Sequence, residues 1–78
     1  MEIKEQIEDI MKKIKPTANL NEVKDIIDGG YLDSLELMGL ITSLMEGFNI
    51  EIEIEDISPE NFNSVNAMVT LVERLRMK

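Results

Sequence analysis

The segment "IEIEIEDI", residues 50–57, decides the fold class. Its alternation of isoleucine with acid has the period of two that marks a half-buried β-strand. A strand needs a partner for its backbone donors and acceptors, and no other stretch of this chain reads as a second strand. We therefore expect residues 50–57 to form an extended loop held down by its alternate isoleucines, inside an all-α protein.

The flanking segments carry the helical period. Toward the N-terminus, Ile3, Ile7, Ile10 and Ile14 recur at spacings of four, three and four with Met11 beside them, which is one face of a helix. Glu2 and Glu5 open it, Lys12, Lys13 and Lys15 close it in accord with the helix dipole, and Pro16 stops it. Directly before the loop, Leu37, Leu40, Ile41, Leu44 and Phe48 form the stripe of a second helix, with Gly47 or Asn49 as its end. Leu35, Met38 and Met45 fall off that stripe. After the loop, Ser58-Pro59-Glu60 combines a capping hydroxyl with proline at the first helical position, and Asn61 to Ser64 breaks the helix after about one turn. Asn63 or Ser64 then caps a last helix with Val65, Met68, Val69, Val72 and Leu75 inward. The expectation is a small four-helix bundle of three main helices and one short one. Its first connection, residues 16–33, is long but ordered, because Leu20, Val23, Ile26 and Ile27 must pack on the core. Residues 1–78 read as a single domain.

With 44% hydrophobic residues, 78 residues suffice for one small core. The absence of cysteine and histidine removes disulfides, thiolate sites and the commonest general base and metal ligand. No catalytic residues and no metal site are expected, and the chain is read as not an enzyme. The formal charge is −8, and no Lys or Arg lies between Lys24 and Arg74 while ten acids fall between residues 25 and 72. Nucleic acid and membrane insertion are therefore unexpected, and basic protein surfaces are the natural partners. The chain has neither a spanning segment nor a signal-peptide core, which points to the cytoplasm, and we expect a monomer.

The chemistry, where there is any, centres on "GGYLDSLEL", residues 29–37. One reading is calcium binding, since Asp25 to Glu36 spans twelve residues with Asp at position 1, Gly at 6, Asp at 9 and Glu at 12. Positions 3 and 5 are Ile27 and Gly29, so two oxygen ligands are missing. A second reading is purely structural, with Asp33 or Ser34 capping the helix and Gly29-Gly30 turning the chain. In a third, Ser34 accepts a phosphodiester, which unpaired N–H groups and the dipole favour at a helix N-terminus. Without histidine, an outside enzyme must attach it.

"DSLEL" opening a helix that ends in Phe48, the isoleucine-rich acidic loop, and "FNSVNAM" opening the last helix together resemble the acyl carrier protein family over essentially the whole chain. The resemblance implies that Ser34 receives 4′-phosphopantetheine from coenzyme A through a phosphopantetheinyl transferase. It also implies that the thiol of this arm carries acyl or aminoacyl groups as thioesters between loading and processing enzymes with basic docking surfaces. Asp33 then helps to position the serine, while Leu35, Glu36, Met38, Thr42 and Glu46 face partner enzymes. On this reading Ser34 is both helix cap and attachment point. The alternative from another class is an acidic calcium-responsive or structural interaction domain.

Gly39, Thr42 and Met45 stand where carriers of fatty acid synthesis show acid or bulk, and Tyr31-Leu32-Asp33 precedes the serine in place of their Gly-Ala-Asp. The stretch is similar to stand-alone carriers of specialised pathways, including D-alanyl and other aminoacyl carriers loaded by an adenylating ligase. An isoleucine-rich core with few aromatics leaves open the entry of an aliphatic chain between the helices.

Overall fold

The computed structural model describes residues 2–17 and 19–77. It contains α1 (Ile3–Ile14), α2 (Ser34–Phe48), a 3₁₀ turn (Ile54–Asp56), α3 (Pro59–Phe62) and α4 (Val65–Arg76), and no strand among the described residues. Helix α1 packs on both α2 and α4, α3 packs on α4, and α2 meets α4.

The stripes read from the sequence are the faces that turn inward. Ile7 and Met11 of α1, Leu40, Ile41, Leu44 and Phe48 of α2, and Val65, Met68, Val72 and Leu75 of α4 are buried in one cluster. Ile3, Ile10, Ile14, Leu37, Met45 and Val69 pack against its edge. Leu71 also lies in the core, three residues after Met68 on the same face. Each such side chain taken from water contributes about 1.5–3 kcal/mol before the entropy of ordering it is set against that gain. Asn49 ends α2 in the left-handed region, at φ 55°. Asparagine tolerates that conformation, and the Ile50 amide reaches back to the Met45 carbonyl at 3.2 Å.

The alternating segment is a loop, as expected, but its isoleucines are not equivalent. Ile50 is buried and Ile52 packs on the core, whereas Ile54 is 88% exposed and Ile57 lies largely at the surface. The cause is the 3₁₀ turn, which breaks the period of two after Glu53. Asp56 closes that turn by accepting from the Glu53 amide at 3.1 Å, and its carbonyl accepts from Asn61 Nδ2 at 2.8 Å. Its carboxylate also lies 3.7 Å from Arg74 Nη2. A polar residue thus organises the segment, and two isoleucines suffice to hold it.

Helix α3 starts at Pro59 as predicted, but Ser58 does not cap it: its hydroxyl is buried without a hydrogen-bond partner. The fixed φ of proline and the 3.0 Å bond from the Asn61 amide to the Ser58 carbonyl start the turn instead. Ser64 caps α4, with its hydroxyl accepting from the Ala67 amide at 3.0 Å. Among the described residues, no helix is long and apolar enough to cross a membrane.

Candidate functional site

The start of α2 is built by its neighbours and not by Ser34. Asp33 is the N-cap, in extended conformation, and its Oδ1 accepts the Glu36 amide at 2.8 Å. Glu36 Oε1 in turn accepts the Asp33 amide at 3.0 Å, completing a capping box. The expectation that Ser34 doubles as a cap is therefore corrected: Ser34 is the first residue inside the helix, exposed, and outside the capping hydrogen bonds. Aspartate wins the position because a carboxylate there both accepts the amide and meets the positive end of the dipole.

Glu36 has a second partner. Lys15 Nζ, just past the end of α1, lies 3.3 Å from both of its carboxylate oxygens, with both side chains half-buried. The residue expected to face partner enzymes thus ties the end of α1 to the first turn of α2. Lysine at a helix C-terminus reads from sequence as a response to the dipole, and that local signal concealed a contact reaching 21 residues ahead.

The long first connection reaches Ser34 through a closed turn. The Gly29 amide donates to the Asp25 carbonyl at 2.6 Å, Gly30 to Ile27 at 3.1 Å, and Tyr31 to Ile26 at 3.0 Å. This is the bond pattern of a helix C-terminus, with Gly30 at φ 75° in the left-handed place that favours glycine. Gly29 is required by space, since a Cβ there would lie 2.7 Å from the Asp25 carbonyl oxygen. The turn lets Ile26 and Leu32 enter the core on either side of it.

Asn63 holds this turn in place. Its Oδ1 accepts from the amides of Ile27 at 2.9 Å and Asp28 at 3.1 Å, its Nδ2 donates to Asp28 Oδ2 at 3.0 Å, and its carbonyl accepts from Ile26 at 2.9 Å. Sequence reasoning offered Asn63 only as an alternative cap for α4; its partners lie 35 and 36 residues away and leave no local trace. Replacing Asn63 with alanine leaves the Ser64 cap intact but strands two loop amides, at an expected cost of about 2 kcal/mol. Urea unfolding and amide hydrogen exchange over residues 26–31 check this. Wild-type protection there would show that Asn63 is not the clamp.

The remaining predicted residues line one side of α2. Leu35 is 84% and Met38 57% exposed, with Thr42 and Glu46 also at the surface and Asp33 exposed beside Ser34. The calcium reading finds no support: its positions 9 and 12, Asp33 and Glu36, are engaged in the capping box, and Glu36 also pairs with Lys15. No cluster of potential metal ligands occurs among the described residues.

The described residues thus form a helical bundle with an exposed serine on the first turn of its second helix, beside an anionic and partly apolar helix face. The chain belongs to the phosphopantetheine attachment site family, which matches residues 2–72. It is similar to the D-alanyl carrier protein of Staphylococcus saprophyticus subsp. saprophyticus, with 27% identity over 97% of this chain and 100% of that protein. It is also similar to the D-alanyl carrier protein of Streptococcus pyogenes serotype M1, with 38% identity over 68% of this chain and 67% of that one. As a member of this family it is a carrier without turnover of its own, and its cofactor is covalently attached 4′-phosphopantetheine.

Proposed function

We propose that Ser34 is the attachment site and that the cargo is a D-alanyl or related small aminoacyl group. The observation that carries the first part is the division of labour at the start of α2: Asp33 caps, which leaves the Ser34 hydroxyl exposed and uncommitted to the helix. A phosphodiester on that oxygen sits at the positive end of the helix dipole, so the residues present fit the group. In the attachment step Ser34 Oγ forms the bond to phosphorus, and the P–O bond to adenosine 3′,5′-bisphosphate in coenzyme A breaks. The hydroxyl proton passes to a base on the transferase, because the chain has no histidine. The arm, when attached, supplies a terminal thiol that holds the cargo as a thioester.

The second part draws on the names of the relatives and on α2 itself, where Gly39 and Met45 replace the acids of fatty acyl carriers. On this reading residues 1–78 act as one monomeric carrier domain in the cytoplasm, recognised through Asp33, Leu35, Met38, Thr42 and Glu46. Glu36 has a positioning role from within. Partners are the transferase, an adenylating ligase and an acceptor enzyme, each with a basic docking surface that steers encounter.

The test starts from purified apo-protein, coenzyme A and a phosphopantetheinyl transferase, followed by intact mass. The holo-protein is then offered D-alanine, ATP and an adenylating ligase at low and at physiological ionic strength, with a malonyl-transfer and elongation system in parallel. We expect one arm, one aminoacyl group, and loading that slows as salt screens the docking charges. Efficient malonyl loading and elongation with refusal by aminoacyl ligases would overturn the cargo assignment.

A further inference from the structure

We propose that Lys15 is a positioning residue for the modification of Ser34: acting through Glu36, it fixes the first turn of α2 in the arrangement that presents the serine to the transferase. The inference rests on Ser34 being the attachment site.

A capping box is complete with two residues, and here a third has been added. Asp33 and Glu36 exchange their hydrogen bonds within one turn, as the members of such a box do anywhere. Lys15 enters from the end of α1 and lies 3.3 Å from each oxygen of the Glu36 carboxylate, so the group is gripped across both atoms. One of them, Oε1, is the atom that accepts the Asp33 amide. A glutamate side chain has several rotatable bonds with which to leave a cap. Held at both oxygens, it keeps the Asp33 backbone, and with it the adjoining Ser34, in a single bearing.

Lys15 is itself anchored. Its amide donates to the Met11 carbonyl at 2.8 Å, closing α1, and Met11 is buried in the core. An unbroken line of contacts thus runs from the core through Met11, Lys15, Glu36 and Asp33 to the backbone that bears the serine.

Stability does not account for this arrangement. The two side chains are 34% and 25% exposed, and an ion pair so placed adds little to a fold. The ammonium also lies at the positive end of α2, where the dipole disfavours a cation. Helix α2 has no Lys or Arg of its own, so the charge is supplied from outside it. What the cation does there is local. It offsets one of the two carboxylates beside the serine that must approach a phosphate group, and it fixes the turn before the encounter. Reacting groups have to be held within about 0.5 Å of the productive geometry, by neighbours that are themselves locked.

The experiment follows modification of the full-length apo-protein by coenzyme A and one transferase, with initial rates read by intact mass. Wild type is compared with Lys15→Met, Lys15→Arg, Glu36→Gln and a variant carrying both Lys15→Met and Glu36→Gln, at a temperature at which melts show every one folded. Lys12→Met, at an exposed lysine of the same helix, controls for net charge. Lys15→Met keeps the stem and should lower kcat about tenfold with KM within about twofold, because the serine is less often in line while the docking surface is unchanged. Lys15→Arg, whose guanidinium can again grip both oxygens, should recover kcat to within about twofold of wild type. Glu36→Gln should lose as much as Lys15→Met, and the double variant no more than either. Lys12→Met should match the wild type. A wild-type kcat for Lys15→Met, a loss confined to KM, additive losses in the double variant, no recovery with arginine, or an equal loss in Lys12→Met would each overturn the role of Lys15 while leaving Ser34 as the attachment site. If the wild type gains no arm with any of several transferases, the attachment reading itself fails and this proposal fails with it.

Discussion

Replacing Ser34 with alanine should give a protein that gains no phosphopantetheine in the presence of coenzyme A and a transferase that modifies the wild type fully. The loss should be complete, since no other serine combines exposure with the first turn of a long helix. Ser43 lies inside α2 and Ser64 spends its hydroxyl on the Ala67 amide. Ser58 is buried at that atom. The fold should hardly notice. Asp33 and Glu36 supply the cap, so an exposed alanine at the first helical position should alter stability by no more than about 0.5 kcal/mol. Asp33→Ala provides the contrast, losing the cap at about 1 kcal/mol while keeping the serine. Intact mass of the Ser34→Ala protein reads the chemistry, and urea unfolding of both variants reads the scaffold. An arm on the Ser34→Ala protein would end the assignment.

The largest structural effect is expected at Phe62. Its side chain is only 1% exposed and is the largest of the fully buried ones, yet it comes from α3, a helix of four residues. So short a helix has no stability of its own and is held by what it buries. Phe62→Ala should therefore cost about 3–5 kcal/mol, transfer and cavity terms together. A domain of this size has about 4–12 kcal/mol in all, so the variant should sit close to unfolding at 37 °C. Phe62→Leu, which keeps most of the volume, should lose far less. The urea midpoint should fall with little change in slope. A near-normal midpoint for alanine would mean that α3 is dispensable to the core.

Much of this was legible in the sequence, because helices advertise themselves through period and punctuation. The stripes of α1, α2 and α4, the proline that opens α3, and the serine at the head of α2 are all local signals, and local signals survive in one dimension. Asn63 was not legible. An asparagine before a serine at a helix start reads equally well as a cap, and only the third dimension shows it gripping Ile27 and Asp28. Lys15 was legible only in part: it stands at the end of α1 as the dipole favours, but its pairing with Glu36 left no local sign. Ile54 failed for a different reason: a periodic pattern predicts equal burial for equal letters, and the turn closed by Asp56 rotates it outward. Aspartate and serine, adjacent and both good caps, could be told apart only by which oxygen meets the Glu36 amide.

The pairing of α1 with α4 joins the first and last helices among the described residues, and it bears on when the proposed site takes shape. Contacts so distant in sequence form late, after the intervening loops have been closed. A growing chain holds α1 and α2 without the surface they rest on until α4 has been made, and a helix of 15 residues is marginal in water by itself. Ser34 gains its ordered first turn only when the bundle closes. A transferase that acts on Ser34, as proposed, and reads α2 as a helix should therefore modify the folded domain in preference to the unfolded chain.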